Sequence, residues 1–221
     1  MSREFRINDY PRFRISAIIM AIYKIYELNP SPRIISKAVE VLQNDGLIVY
    51  PTDTIYGLGC SLQSKKGLKK LYNIRNMDSK THLSFIAPDL SDVARYALVS
   101  NQAYKIMNKY LPGPFTFVLP ATKAVNKFML FKRKEVGIRV PDNNICRELT
   151  QCLGSPIITT SVPLWGEEIL NDGEKIAVYF NSEIDLILDS GILISEPSTV
   201  IDLSVEPFEI VRQGRGEIFL N

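Results

Sequence analysis

Residues 48–60 constrain the fold of this 221-residue chain more than any other segment. The segment opens with Ile48, Val49 and Tyr50, an apolar run that is typical of a buried strand. Pro51 ends that strand because proline has no N–H group to donate to a β-ladder. Polar side chains and glycines then follow at Thr52, Asp53, Thr54, Tyr56, Gly57 and Gly59. Since glycine lets the backbone approach another group closely, the segment predicts a core strand leading into a ligand-binding loop, with a plain solvated turn as the alternative.

The composition is that of one globular domain of ordinary core size, with 46% hydrophobic residues. Lys and Arg total 26 against 24 Asp and Glu, so the net charge of +2 gives no general attraction for RNA, and any basic site must be local. The three cysteines, Cys60, Cys146 and Cys152, form no Cys-x-x-Cys pair, and their odd number argues against a disulfide framework. We therefore expect a reducing, cytoplasmic location. The single histidine, His82, excludes zinc sites built from several imidazoles.

The first 19 residues do not have the pattern of a membrane or secretion signal. Arginines precede an apolar run at residues 15–22, which is too short to span a bilayer. No small-residue cleavage site of the kind that follows a signal peptide comes after it. We expect residues 1–19 to be an N-terminal extension that the fold does not need, with a genuine extra element as the alternative. Residues 20–221 then form the domain.

Helices and strands mingle along the rest of the chain without a strict βαβ period. Capping residues and apolar spacing predict helices at residues 31–45, 65–75, 100–110 and 143–153, and a further helix that begins at Asp89 or Ser91. Strands are predicted at residues 23–26, 47–50, 83–87, 115–119, 136–140, 156–160, 186–188, 199–203 and 208–211. Residues 163–182 have a mixed pattern of loop or helix. We predict a single-domain α/β fold with a twisted, mixed parallel and antiparallel sheet and helices on both sides.

Polar side chains stand where several of these strands end. They are Thr52, Thr54, Arg139, Ser161, Ser198, Thr199 and Arg212. Strand ends of one sheet can meet in one crevice, and hydroxyls with guanidiniums hold phosphates and carboxylates through short and bidentate hydrogen bonds. The sequence shows neither a metal-ligand cluster nor a P-loop, and residues 214–216 add a glycine-rich segment able to lie over a ligand. The pattern predicts an anion-binding site.

Five spaced motifs between residues 34 and 216 resemble the YrdC/YciO family, and the YciO branch in particular. The motifs are Tyr50-Pro51-Thr52-Asp53-Thr54-Ile55-Tyr56-Gly57-Leu58-Gly59, Pro112-Gly113-Pro114-Phe115-Thr116-Phe117-Val118-Leu119-Pro120, Ile138-Arg139-Val140-Pro141, Thr160-Ser161, and Pro197-Ser198-Thr199-Val200-Ile201-Asp202 followed by Val211-Arg212-Gln213-Gly214. One such motif can arise by chance, whereas several in the same order are a specific signal.

The resemblance implies a YrdC-like fold with one catalytic cavity over a twisted sheet. The implied activity is a nucleotidyl transfer in which ATP, L-threonine and bicarbonate give threonylcarbamoyl-AMP and pyrophosphate. Mg²⁺ arrives with ATP, which is a substrate, and no resident metal site is implied. The product serves tRNA threonylcarbamoyladenosine modification, so proteins of that modification are the implied partners.

The resemblance also assigns roles to residues. The residues implied to bind L-threonine are Thr52, Thr54, Tyr56, Thr116 and Arg139. The residues implied to bind the nucleotide are Arg75, Ser161, Ser198, Thr199 and Arg212, of which Arg75, Ser161 and Arg212 are the catalytic candidates. In such a site the protein has mainly to position the reactants and neutralise their charge.

Two departures from the synthase pattern put turnover in doubt. Asn73 stands where active synthases carry a lysine, and Pro163 stands where they carry an asparagine, whose amide both donates and accepts hydrogen bonds. The first alternative is a double-stranded-RNA-binding protein without efficient catalysis, and the second is a non-catalytic nucleotide-sensing or interaction protein. The basic residues available to RNA are Lys65, Lys66, Lys69, Lys70, Arg75, Lys127, Lys132, Arg133 and Lys134.

Overall fold

The structure is a computed structural model that describes residues 20–219 except residues 79, 80, 82, 92, 163, 166, 167, 182 and 195. The predicted extension of residues 1–19 lies outside the described residues, and so do His82 and Pro163. Within the described part of the chain, no helix combines the length and the apolar character needed to cross a membrane.

The strands and helices follow one another in a mixed order. The strands are β1 (Ala21–Lys24), β2 (Ile48–Tyr50), β3 (Gly57–Ser61), β4 (Ser84–Ile86), β5 (Phe115–Pro120), β6 (Glu135–Arg139), β7 (Ile157–Ser161), β8 (Leu164–Trp165), β9 (Glu168–Ile169), β10 (Leu186–Asp189), β11 (Thr199–Asp202) and β12 (Glu209–Arg212). The helices are α1 (Pro32–Gln43), α2 (Lys65–Ile74), α3 (Asn101–Tyr110), α4 (Val125–Phe128), α5 (Asn144–Leu153) and α6 (Gly173–Phe180), with one 3₁₀ turn at Val93–Arg95.

Ten strands form one sheet in the order β1-β10-β2-β3-β7-β4-β6-β5-β11-β12. The pairs β1–β10, β10–β2, β4–β6 and β5–β11 are parallel, and the other neighbours are antiparallel. The predicted mixed α/β sheet is confirmed. Strands β8 and β9 pair with each other in a separate antiparallel ribbon.

The predicted binding loop is shorter than the sequence suggested. Residues 57–60 belong to β3, which pairs with β2 in an antiparallel hairpin that places Gly59 opposite Ile48. Gly59 is required by the packing of the sheet, since a Cβ at this position would lie 2.6 Å from the carbonyl oxygen of Ile158 on β7. The close approach predicted for this glycine is therefore made to a neighbouring strand, and the loop is limited to residues 51–56.

Two further segments differ from the prediction. The helix expected to begin at Asp89 or Ser91 is only the 3₁₀ turn Val93–Arg95. Asp89 Oδ1 accepts a hydrogen bond from the Ser91 N–H at 2.7 Å, and such a local turn competes with helix formation. Within residues 163–182, the ribbon of β8 and β9 precedes α6. Strands of two residues are too short to show the period that identifies a strand in a sequence.

The two faces of the central strands meet different surroundings, because successive side chains of a strand point to opposite faces. On one face, Phe117 and Ile138 join a large apolar core that includes Leu68 of α2 and Met107 of α3. On the other face, a second core packs strands β10, β2 and β7 against α1 and α5. Its members include Ile35, Leu42, Ile48, Tyr50, Ile145, Leu149 and Ile157. Each such buried aliphatic or aromatic side chain contributes about 1.5–3 kcal/mol relative to exposure.

The face that α1 and α5 partly cover continues onto strands with small and polar side chains. Residues directly opposite one another share a face, and the pairs connect Gly59 to Thr159, Thr159 to Ser84, Ser84 to Gly137 and Gly137 to Val118. Here the sheet surface lines a cavity instead of a helix interface. The edge of the packed helix pair is thus the border between the filled part and the open part of this face.

Helix α5 supplies a test of how this border is stabilised. Asn143 is the N-cap of α5, is 1% exposed, and its Oδ1 accepts a hydrogen bond from the Cys146 N–H at 3.1 Å. Ser31 occupies the N-cap of α1 but makes no side-chain capping bond. Asn143→Ala should lower the free energy of unfolding by about 1 kcal/mol, whereas Ser31→Ala should change it by no more than a few tenths. Urea titrations of both variants measure this difference, and equal losses would contradict it.

Candidate functional site

A cavity of about 280 Å³ lies on the face of the sheet that α1 and α5 partly cover. Its walls come from the loop of residues 51–56 and from seven strands of the sheet. The lining residues are Ile55, Tyr56, Gly57, Leu83, Ser84, Thr116, Val118, Gly137, Arg139, Thr159, Thr160, Ser161, Ser198, Val200 and Arg212. Among the described residues this lining contains two guanidiniums, several hydroxyls and no carboxylate, a combination that favours an anionic ligand.

Arg139 is the more enclosed of the two cations, at 9% exposure. It stands at the end of β6, and its Nη2 donates to Asp53 Oδ1 at 2.9 Å and to Thr54 Oγ1 at 3.0 Å. Its Nε is buried and has no hydrogen-bond acceptor among the described residues. A buried cation whose donors are only partly used is a group that a bound anion completes.

The loop of residues 51–56 is folded around its own hydroxyl groups. Thr52 Oγ1 donates to the carbonyl oxygen of Ile55 at 2.6 Å and accepts from the Thr54 N–H at 3.1 Å. The hydroxyl oxygens of Thr52 and Thr54 lie 3.1 Å apart, and both side chains are buried. Thr52 thus fixes Thr54, which in turn fixes Arg139. These two threonines shape the site from behind its wall and do not line the cavity.

Arg212 approaches the same cavity from the edge strand β12. Its Nη2 donates to the carbonyl oxygen of Ser198 at 2.8 Å, and its Nε donates to the same oxygen at 3.3 Å. Ser198 Oγ lies 2.9 Å from Thr116 Oγ1, so a guanidinium and two hydroxyls form one wall. Burial against this wall and the positive charge of Arg139 lower the pKa of Arg212. Within the described part of the chain no carboxylate forms an ion pair with Arg212.

Tyr56 lines the cavity, but its hydroxyl is already engaged elsewhere. The hydroxyl donates to the carbonyl oxygen of Gly191 at 2.7 Å, accepts from the Ser190 N–H at 3.0 Å, and lies 3.2 Å from Asp189 Oδ1. Burial raises the pKa of Tyr56 to about 12. The residue therefore joins the cavity wall to the end of β10, and its hydroxyl proton is held by that segment.

The structure brings together six of the residues that the sequence assigned to the site. Tyr56, Thr116, Arg139, Ser161, Ser198 and Arg212 all line the cavity. Thr199 does not. Its hydroxyl donates to the carbonyl oxygen of Gly216 at 2.6 Å and accepts from the Gly214 N–H at 2.9 Å, so Thr199 holds the C-terminal glycine segment in place. Direct contact of Thr199 with a nucleotide stays a prediction.

Arg75 also lies outside the cavity lining, at the C-cap of α2. Its Nε is buried without a hydrogen-bond acceptor in the described residues, and burial lowers its pKa. These features are those of a cation with unused donors. The predicted contact of Arg75 with nucleotide phosphates stays a prediction.

Ser84 and Gly137 contribute to the site although the sequence analysis did not select them. They are partners in the parallel pair β4–β6, and a Cβ at Gly137 would lie 2.5 Å from Ser84 Oγ. A glycine inside a strand marks a place where the sheet must remain uncovered or be approached closely. In β5 the smaller Thr116 and Val118 alternate with large apolar residues, and this alternation also indicates a strand face that large side chains leave uncovered.

Comparison with known proteins identifies similar sequences along most of the chain. Residues 40–214 match the sequence model of a family named Sua5_yciO_yrdC and described as telomere recombination. An uncharacterized protein of Haemophilus influenzae is 41% identical over 197 residues, which cover 88% of this chain and 95% of that protein. The uncharacterized protein YciO of Escherichia coli K12 is 38% identical over 198 residues, with 89% and 96% covered. A Methanocaldococcus jannaschii protein named putative threonylcarbamoyl-AMP synthase is 32% identical over 198 residues, with 87% and 92% covered.

Two solved structures share the fold. The crystal structure of E. coli YciO matches with a TM-score of 0.85 and 36% identity over 91% of this chain and 99% of that chain. The crystal structure of P. abyssi Sua5 complexed with L-threonine matches with a TM-score of 0.81 and 25% identity, over 87% of this chain and 57% of that chain.

The engaged hydroxyl of Tyr56 predicts a pH dependence. A folded-state pKa of about 12 lies above the ordinary value of 10, so the folded protein keeps a proton that the unfolded chain loses. Stability from this group is complete below pH 10 and is lost as the pH rises towards 12. Relative to Tyr56→Phe, the parent should lose about 1 kcal/mol of unfolding free energy between pH 9 and pH 11. Denaturant titrations at both pH values test this, and parallel profiles for the two proteins would contradict it.

Proposed function

Because the chain belongs to the Sua5/YciO/YrdC family, we propose that it transfers the AMP group of ATP to N-carboxylated L-threonine, giving threonylcarbamoyl-AMP and pyrophosphate. The observation that carries this proposal is the cavity in which Arg139 and Arg212 face a hydroxyl-rich lining that has no carboxylate in the part of the chain that the structure describes. The similarity to the M. jannaschii protein named putative threonylcarbamoyl-AMP synthase supports the reaction. The similarity to Sua5 complexed with L-threonine supports the amino-acid substrate.

The reaction brings three groups of negative charge together, which are the threonine carboxylate, bicarbonate and the phosphates of ATP. The amine of threonine attacks bicarbonate, water leaves, and a carbamate forms. One carbamate oxygen then attacks the α-phosphorus of ATP, and the bond to the β-phosphate oxygen breaks to release pyrophosphate. Because the reactants repel one another, the protein contributes mainly by positioning them and by neutralising their charge.

The two arginines suit different ends of such a reaction. Arg139 lies beside the loop of residues 51–56, which carries Thr52 and Thr54. It is proposed to hold the carboxylate or the carbamate of the substrate. Arg212 has no carboxylate partner within the described residues and is proposed to hold phosphate oxygens, with Ser161 and Ser198 as hydroxyl donors. A hydrogen bond between a charged pair contributes about 1.5–3 kcal/mol, so each arginine accounts for about a tenfold to hundredfold change in affinity.

The fit of Mg²⁺ to this site follows from the oxygen atoms available. Among the described residues there is no group of three or more His, Cys, Asp or Glu side chains arranged to hold a metal ion. Hydroxyl oxygens of the lining and phosphate oxygens of ATP are hard donors of the kind that Mg²⁺ prefers. Mg²⁺ is therefore proposed to enter with ATP, where it would neutralise the charge of the departing pyrophosphate.

Asn73 is expected to limit the rate more than the affinity. It is exposed in the last turn of α2, two residues before Arg75, where a lysine would add a second cation beside the phosphates. A preorganised cation at the transferring phosphate stabilises the transition state, so its absence lowers turnover. We propose a slow synthase whose product serves tRNA threonylcarbamoyladenosine modification.

Replacement of Arg212 tests the proposed nucleotide site. Arg212→Ala should weaken ATP binding by about tenfold, equivalent to about 1.4 kcal/mol, because the remaining wall has hydroxyls but no free cation. Arg33→Ala is the matched control, since Arg33 is exposed on α1 and outside the cavity lining. Calorimetry with ATP measures both affinities. Pyrophosphate release that requires both threonine and bicarbonate, and that falls in Arg212→Ala, tests the reaction itself.

Absence of ATP binding to the parent at millimolar concentration would contradict the proposal. Equal affinities of the Arg212→Ala and Arg33→Ala variants would instead show that the nucleotide does not use this wall.

RNA binding is the second candidate function, and one contact favours it. Arg133 Nη2 donates to the Tyr72 hydroxyl, and the Phe131 ring meets the Tyr72 ring edge-on at 5.6 Å between centroids. This contact places the lysines near residue 133 next to the lysine-rich helix α2. Part of the charge is already balanced, since Lys66 pairs with Asp45 at 3.4 Å.

If RNA is a ligand, the logarithm of its affinity should fall linearly with the logarithm of salt concentration. Lys132→Ala with Lys134→Ala should reduce both the affinity and the slope, because each lost phosphate contact lowers the slope by roughly 0.7–0.9. Arg212→Ala, which alters the cavity, should leave RNA binding unchanged. Fluorescence anisotropy with double-stranded RNA measures these values, and a salt-independent affinity would exclude this surface.

A further inference from the structure

Asp53 lies behind the cavity wall at the point where three segments meet. Its side chain is 9% exposed, and its Oδ1 accepts from Arg139 Nη2 at 2.9 Å. Its Oδ2 accepts from the Asp142 N–H at 3.2 Å, and its backbone carbonyl accepts from Arg215 Nη1. Asp53 does not line the cavity, so it acts on a ligand only through the groups that it holds.

The most important of those groups is the guanidinium of Arg139. Both hydrogens of Nη2 are committed, one to Asp53 and one to Thr54. The donors left for a ligand are those of Nε and Nη1, and no described residue accepts from Nε. The ion pair of Asp53 with Arg139 therefore determines which edge of the guanidinium is left for a ligand in the cavity.

Asp53 also sets the charge at this end of the cavity. Arg139 and Asp53 nearly cancel each other, whereas Arg212 has no carboxylate partner in the described part of the chain. Glu27 and Asp142 lie on the Asp53 side, where burial, followed by the charges of Asp142 and Asp53, raises the pKa of Glu27, and Arg215 adds one positive charge there. The two cations of the cavity are therefore unequal: one is balanced from behind and one is not.

We propose that Asp53 is a positioning residue that assigns the two anions of the reaction to opposite ends of the cavity. A balanced, oriented Arg139 suits a singly charged carboxylate, whereas the unbalanced Arg212 suits a phosphate of higher charge. This inference rests on the proposed function and deepens it, because it explains how a small cavity with two arginines keeps threonine and pyrophosphate from exchanging places.

The test compares two probes, L-threonine and inorganic pyrophosphate, by calorimetry on the full-length chain. Asp53→Asn removes the charge and keeps an oxygen able to accept from Arg139. Because Arg139 is then held in place but no longer balanced, the variant should keep its threonine affinity near the parental value and bind pyrophosphate more tightly, which shifts the ratio of their dissociation constants by about tenfold or more. A residue with a merely structural role would move both affinities in the same direction.

Two further variants separate charge from position. Asp142→Asn removes one exposed negative charge nearby without touching Arg139. In this variant the ratio of the two dissociation constants should stay at the parental value. Asp53→Glu keeps the charge but displaces Arg139, so threonine binding should fall without a gain in pyrophosphate binding. This conservative variant also tests the inference if Asp53→Asn does not fold, as thermal melting would reveal.

Specific outcomes overturn the inference. Three outcomes would each contradict the role of Asp53: the same fold-change in affinity for both probes in Asp53→Asn, an equally large shift of the ratio in Asp142→Asn, or parental affinities in Asp53→Glu. In those cases a parent that binds both probes leaves the proposed function standing. A parent that binds pyrophosphate but not threonine would refute the proposed substrate, and with it the sorting role of Asp53.

Discussion

The buried guanidinium of Arg139 is the constraint on which the arrangement of the site depends. A cation that is 9% exposed is costly to bury unless it is paired and hydrogen-bonded. Asp53 and Thr54 supply those bonds, and this requirement holds the loop of residues 51–56 against the end of β6. Since Thr52 in turn fixes Thr54, the loop geometry follows from the need to satisfy one buried charge. The same contacts leave part of the guanidinium for a ligand.

The cavity exists because one face of the sheet is left without large side chains. Where α1 and α5 pack, the strands present Ile48, Tyr50 and Ile157, and the space is filled. Further along the same face, Gly137 and Ser84 are paired, and even a methyl group at Gly137 would meet the serine hydroxyl. The protein forgoes the apolar burial that larger residues would provide there. In return it gains an enclosed surface of hydroxyls and cations, which is the usual relation between stability and a binding site.

Most of the helices and strands follow from local signals in the sequence, and the errors arise where tertiary contacts decide. Capping residues such as Asn143 and Ser100 correctly located the helices α5 and α3. Gly57 and Gly59 were interpreted as loop residues that let the backbone approach a ligand, yet both lie in β3, where the Tyr50 ring on β2 and the Ile158 carbonyl on β7 require their small size. The site residues at strand ends came together as expected. The support from Asp53 and the engagement of Thr199 and Tyr56 hydroxyls were not predictable, since they depend on which distant segment meets each side chain.

The two arginines differ in how far nearby carboxylates offset their charge, and this difference affects substrate binding and catalysis in different ways. Arg139 is offset by Asp53, so it contributes orientation and a modest attraction, and these act on ground state and transition state alike. Arg212 is not offset within the described residues and is the cation best placed for charge that develops on phosphate. With asparagine at position 73, one further cation of the synthase pattern is missing. For the proposed reaction, the inventory of charges therefore favours recognition of the substrates over rapid turnover, which is the combination expected of a family member that keeps the fold and most of the cavity while departing from the synthase pattern at position 73.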